Sequence, residues 1–246
     1  MKLLLSCAAV VAAAQCFFAG AQPVTRLKAK LTAFDGQVMT LEPLSPQATS
    51  GKQPPGAGPA PLKVWITPAT RYVGSSLALF ADIKPGDYAG AALAPSSGDR
   101  LRAQEVFLYA ASLRGTGQGR FPEGDRLIIN GTVGAVKPAT PEDKQDGTLT
   151  LHYHGAVLTG LGRGRTLCEG RASPPAYASA LACEADAVIE VLPGTSVSFL
   201  SEGDKSLLVP GSIVTVAIVT AQDGKNTTPG VVVQKPPPVD KPKTPP

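Results

Sequence analysis

A pattern used twice constrains this chain more than any other feature of its sequence. The stretch LALFADIKPGDYAGAALAPSSGDRLRAQEVFLY, Leu77 to Tyr109, reads as a short helical turn, a Lys-Pro-Gly-Asp turn and a strand, then a Ser-Ser-Gly-Asp loop and a second strand. A degenerate copy, SLLVPGSIVTVAIVTAQDGKNTTPGVVVQ, runs from Ser206 to Gln234. Ile83-Lys84-Pro85-Gly86-Asp87-Tyr88 aligns with Leu208-Val209-Pro210-Gly211-Ser212-Ile213, and Ser97-Gly98-Asp99 with Gln222-Asp223-Gly224. Ahead of the first copy, Leu27, Ala29, Leu31 and Ala33 alternate with Lys28, Lys30 and Thr32, the period of a half-buried strand. Leu127, Ile129, Gly131 and Val133 echo that strand, and Asp35-Gly36 and Asp146-Gly147 mark the hairpin turns that follow. One β-rich unit has been duplicated.

Each unit reads as three strands, a short helix and two more strands. Leu62–Ile66 is the third strand of the first unit, and Ser75 or Ser76 caps a helix over Leu77 to Ala81 that Pro85 stops. Ala187–Leu192, Ile213–Val219 and Gly230–Val233 complete the second unit. The fold expected is therefore all-β: two tandem five-stranded OB-like β-barrels, each with a short helix. The first spans 22–112 and the second 126–234, with a Gly- and Pro-rich linker at 113–125. The second carries an insertion, 155–187, in which Ser173-Pro174-Pro175 opens a helix over AYASALACEA. Residues 45–61 form a surface loop, and 235–246 a disordered Pro-rich tail.

Lys2 followed by the apolar run Leu3 to Phe18 and the small-residue site Ala19-Gly20-Ala21 is the pattern of a signal peptide over 1–21. That run is too short for a membrane anchor, and no other stretch is apolar enough to span a bilayer. The mature chain is thus expected to be periplasmic or secreted. It retains Cys168 and Cys183, for which an oxidising compartment favours a disulfide over a metal or Cys-x-x-Cys redox pair. Closing that loop contributes about 3 kcal/mol in the chain-entropy view.

Chemistry-bearing residues are few. His152 and His154 are the two histidines of the chain. Alternation turns Leu149, Leu151 and Tyr153 inward, so both imidazoles share the outward face of one strand. Side chains two apart on a strand can share a metal ion, but a third ligand is needed and sequence does not supply it. Without one, they are two solvated histidines. Gly115-Thr116-Gly117-Gln118-Gly119 lacks both the following helix and the Lys-Ser/Thr of a phosphate loop. Gly160 to Arg165, extended by Arg171, is a basic loop with no interleaved aromatics. Asp82, Asp87 and Asp99 sit at turns, where Asp is chosen for local backbone hydrogen bonds. No catalytic set and no cofactor motif emerges. A formal charge of +4 is too small to predict nucleic-acid binding.

The opening A-x-L-T-A-F-D-G-x-V-M-T-L, the D-I-K-P-G-D-Y-A-G turn, the A-Q-E-V-F strand, the L-R-G-T-G-Q-G connector and the later G-T-V-G-A-V…D-G-T-L-T-L carry a resemblance. Over most of Val24 to Gln234 the chain resembles a group of uncharacterised exported bacterial proteins built from a small β domain in tandem. The cysteine-bearing insertion, the Pro-rich tail and Ser212 in the second turn depart from that pattern. The resemblance implies an OB-like fold and brings no established activity, so no functional residues carry over.

The function expected is an exported, non-catalytic binding or adaptor protein of the bacterial envelope. Its partner is an envelope protein, a polysaccharide or a small ligand. The alternatives are a periplasmic metal-binding protein using His152 and His154, and a hydrolase of an envelope polymer with two facing carboxylates.

Overall fold

The computed structural model describes residues 25–44, 60–94, 100–123, 126–140, 142, 144–158, 180–221 and 223–234. The leader, Cys168, Asp99, the Gly160–Arg165 loop with Arg171, most of the 45–61 loop and the tail lie outside the described residues. So does the Cys183 side chain, and with it the disulfide expectation. The chain is all-β. In order, the strands are β1 (Thr25–Phe34), β2 (Val38–Pro43), β3 (Leu62–Leu77), β4 (Tyr88–Leu93), β5 (Leu101–Tyr109), β6 (Gly119–Glu123), β7 (Arg126–Pro138), β8 (Gly147–Leu158), β9 (Ala180–Val191), β10 (Ser196–Gly203), β11 (Ile213–Thr220) and β12 (Asn226–Gln234). Among the described residues, helical structure amounts to single 3-10 turns at Phe80–Asp82, Ala111–Leu113 and Lys205–Leu207, and no helix is long and apolar enough to cross a membrane.

Two expected helices are corrected. The one placed over Leu77 to Ala81 shrinks to the turn Phe80–Asp82, because β3 continues through Ser75, Ser76 and Leu77 to pair with β10. The one placed over 176–185 gives way to β9, whose residues from Ala180 pair with β8. In both places strand pairing satisfies the backbone groups that a helix would have paired internally.

β1 pairs antiparallel with β2 and β11, β2 with β3, and β11 with β12. β12 then runs parallel to β3, which closes a five-stranded barrel. Alternation fills it: Leu27, Ala29 and Leu31 point inward beside Met39, Leu41, Val64, Val214, Val216, Val231 and Val233, while Lys28 and Lys30 face water. A second ring follows the same order. β4 pairs with β5 and β7, β7 with β8, and β8 with β9. A two-residue parallel contact, Leu101↔Ile189 and Arg102↔Glu190, brings β9 back to β5. β10 pairs with both β3 and β5 and joins the two rings.

This pairing corrects the expectation that each repeat closes its own barrel. The first repeat gives β1–β3 to one ring and β4–β5 to the other, and the second repeat returns β11–β12 to the first ring. The exchange is reciprocal in detail. The Gly86 N–H donates to Val133 O and the Val133 N–H to Asp87 O, each at 2.8 Å. In the same way Gly211 donates to Leu31 O at 2.7 Å, and Leu31 to Ser212 O at 2.8 Å. Leu31 and Val133 both sit where the pairing register of their strand shifts, so each Pro-Gly turn docks on the bulge of the other repeat. The equivalence of the two opening strands is thus Leu31 with Val133, two positions from the Leu31–Gly131 match that the sequence pattern predicts. The links carry apolar residues across as well: Phe80 and Ile83 enter the second core, and Leu207 and Leu208 the first.

Every member of the second core lies between Ala78 and Phe199, so the second ring is one contiguous piece of chain inserted between β3 and β11. A fragment spanning 78–203 is expected to unfold cooperatively by circular dichroism and to give dispersed amide resonances. A fragment of 22–112, holding three strands of one ring and two of the other, is expected to do neither. The reverse result would contradict the exchange.

Candidate metal centre

Among the described residues β8 and β9 form the longest ladder, from Gly147↔Val191 to Leu158↔Ala180. β7 covers β8 as far as His152, so the ladder continues beyond it as a two-stranded ribbon. Gly131 allows the close approach of β7, since a Cβ there would lie 2.3 Å from the His152 carbonyl oxygen. Leu149, Leu151 and Tyr153 on β8 and Ala187 and Ile189 on β9 are buried. Their neighbours in sequence therefore face water, and the register sets His152 opposite Asp186 and His154 opposite Glu184.

These four side chains meet. The His152 Nδ1 lies 2.8 Å from Asp186 Oδ1, and its Nε2 3.8 Å from Glu184 Oε2. The His154 Nδ1 is 3.1 Å from Glu184 Oε1. The two rings stand edge to face with centroids 5.3 Å apart. One ligand atom from each of His152, His154 and Glu184 lies within 4.8 Å of the others. A tetrahedral ion with bonds near 2.1 Å has donor–donor edges of about 3.4 Å; Glu184 offers one oxygen 3.1 Å from His154 Nδ1 and its other oxygen 3.8 Å from His152 Nε2. The cluster is open to water: 40% of the His152 side chain and 61% of Glu184 are exposed. Glu190, further along the same face of β9, is instead bound by Arg100 and Arg102 at 3.2 and 3.1 Å. The carboxylates of Glu184 and Asp186 face the two imidazoles.

The outward face of the two histidines was legible from alternation. The candidate third ligand was not, because Glu184 lies in the alanine-rich segment 176–185 that reads as a helix, and Asp186 directly follows it. The signal was present in the alternation of Glu184 and Asp186 with Ala185, Ala187 and Ile189. The remaining candidates have local roles. Asp82 accepts from the Leu79 N–H at 2.8 Å, and Asp87 from the Lys84 N–H at 2.7 Å. A cavity of about 700 Å³ beside Phe80 and Val136 carries one carboxylate, Glu142, next to Lys144. Its lining does not present the facing carboxylate pair of a polymer hydrolase.

The Gly115–Gly119 connector is held down rather than held open. The Asn130 amide is buried and donates to the Gly117 carbonyl at 2.8 Å, while its oxygen accepts from the Tyr109 hydroxyl at 3.2 Å. The Tyr88 hydroxyl donates to Thr116 O at 3.1 Å, and the two phenol rings pack at 5.3 Å. Gly90 leaves room for the Asn130 side chain, whose oxygen would lie 1.9 Å from a Cβ at that position. The Thr116 and Gly117 carbonyls of the connector are thus engaged by side chains of the second ring.

Comparison with protein-family profiles, with curated proteins and with solved structures returns no match.

Burial raises the Tyr109 phenol to about 12, with Glu123 nearby adding to the effect and Arg26 opposing it. Burial also raises Tyr88. An unfolded tyrosine ionises near 10. Between those values the unfolded chain releases a proton that the folded chain keeps, so stability complete below about pH 10 is lost as pH rises. For Tyr109 alone that loss is at most about 3 kcal/mol. Tyr109→Phe is expected to cost about 1 kcal/mol at neutral pH through the lost hydrogen bond and to flatten the alkaline decline in urea unfolding. Equal alkaline slopes in the two proteins would contradict this.

Proposed function

We propose that the chain is an exported, non-catalytic metal-binding protein of the bacterial envelope. In this reading it is built as two OB-like barrels that exchange their last two strands. His152, His154 and Glu184 hold one divalent transition-metal ion. The observation that carries the reading is the convergence of two imidazoles and a carboxylate from adjacent strands within 4.8 Å. Two nitrogens and one oxygen suit Zn(II), Cu(II) or Ni(II). Ca(II) takes six to eight oxygens and Mg(II) a near-ideal octahedron, so neither fits. Three protein ligands leave a position for water or another donor. The His152, His154 and Glu184 side chains are each 40% or more exposed among the described residues, which suits exchangeable binding more than catalysis in a water-excluded pocket. The leader pattern supports an exported location.

The test is titration of the tag-free protein with Zn(II) and Cu(II) by calorimetry and by competition with a chromogenic chelator. One ion per chain is expected. His152→Ala/His154→Ala is expected to weaken binding at least about 100-fold, and Glu184→Ala at least about 10-fold, by analogy with the cost of disturbing metal-site ligands and their partners. Unchanged affinity in the double variant would refute the assignment.

A further inference from the structure

We infer that Asp186 is a positioning residue of this site: its carboxylate holds His152 in the tautomer with the proton on Nδ1, so that Nε2 is the atom offered to the metal. This deepens the metal-binding reading and rests on it.

Asp186 lies directly opposite His152 in the β8–β9 ladder, and its Oδ1 is 2.8 Å from the His152 Nδ1. An ionised carboxylate is an acceptor only, and a neutral imidazole carries one N–H and one bare nitrogen. In the neutral ring that metal binding requires, the short contact is made by Nδ1–H donating to Oδ1, which leaves the lone pair on Nε2. That nitrogen faces the Glu184 Oε2 at 3.8 Å. The opposite tautomer would aim a proton at the ion's position and set a lone pair against the Asp186 carboxylate.

Glu184 cannot take over this task, because its other oxygen is 3.1 Å from the His154 Nδ1. The two carboxylates thus divide the work. Glu184, lying between the rings, is a ligand, and Asp186, outside them, orients one of the rings. A carboxylate holding the distal N–H of a metal-bound histidine is a recurrent arrangement, and its loss typically lowers affinity 10- to 100-fold. Asp186 also keeps the ring from rotating about its outer bonds on a surface where packing does little to fix it, since 40% of the His152 side chain is exposed.

The test uses Asp186→Ala and Asp186→Asn in the full mature chain. Asn keeps a carbonyl oxygen that accepts from Nδ1–H, whereas Ala removes the acceptor. Two measurements are made. Long-range ¹H–¹⁵N spectra of the metal-free protein report which His152 nitrogen bears the proton, and chelator competition reports Zn(II) affinity. The inference predicts the Nδ1–H form in the natural protein and in Asp186→Asn, and a shift toward the Nε2–H form in Asp186→Ala. It predicts a 10- to 100-fold loss of Zn(II) affinity in Asp186→Ala, recovered to within a few-fold in Asp186→Asn. An unchanged tautomer and affinity in Asp186→Ala, with the natural protein binding Zn(II), would overturn this inference alone. Equal losses in the Asn and Ala variants would also overturn it, by making Asp186 a charge or a ligand. Failure of the natural protein to bind any ion would instead bring down the metal-centre reading beneath it.

Discussion

The antiparallel ladder between β8 and β9 is the interaction on which both the fold and the site depend. Running from Gly147↔Val191 to Leu158↔Ala180, it places Ile189 where the second ring meets β5. The same register sets two histidines against two carboxylates on the outer face. A slip of one residue would turn Leu151 and Tyr153 to water and the histidines into the core. Burial of Leu149, Leu151, Tyr153, Ala187 and Ile189 therefore fixes the geometry of the polar cluster on the other side of the sheet. The leucine and isoleucine side chains each contribute roughly 1.5–3 kcal/mol when fully buried, so the cluster inherits its precision from packing it does not touch.

Exchange of strands between the repeats solves a problem of edges. Three strands from one repeat leave an unpaired edge on each side, and the two strands of the other repeat cover both. The reciprocal hydrogen bonds between each Pro-Gly turn and the opposite bulge mark where the crossings are locked. Apolar residues of the links enter the ring toward which each crossing leads, Phe80 in one direction and Leu208 in the other. Arg26 of the first barrel reaches Glu123 on β6 at 2.8 Å, a further tie across the junction, though an exposed pair of this kind adds little stability.

Much of the architecture was legible in the sequence. Period-two alternation placed most of the strands, and the paired Lys-Pro-Gly-Asp and Val-Pro-Gly-Ser turns exposed the duplication. Alternation missed β6, which lies in the segment expected as a linker at 113–125, and β10, and it ended β3 at Ile66. The exchange was not legible, because a repeat pairs equally well with equivalent strands of its own copy or of the other. The choice between the two lies in how the short links after β3 and β10 cross, and no residue pattern records that. The expected helices failed where alanine-rich or serine-capped segments were captured by a waiting strand, β8 in one case and β10 in the other. Tertiary pairing outweighed local propensity, which is a weak preference. The histidines were found for the reason that alternation works. Their carboxylate partners were missed because a partner across a ladder is set by register, and register across a long insertion cannot be counted from the chain.

One register of β8 against β9 is proposed to build a three-ligand metal centre on the surface of the second ring. The most direct measurement is diffraction from crystals of the Zn(II)-loaded protein, with an anomalous difference map at the zinc edge. The account predicts a single peak about 2.0–2.2 Å from His152 Nε2, a ring nitrogen of His154 and an oxygen of Glu184. A peak ligated by other residues, or fully loaded crystals with none at this cluster, would contradict it.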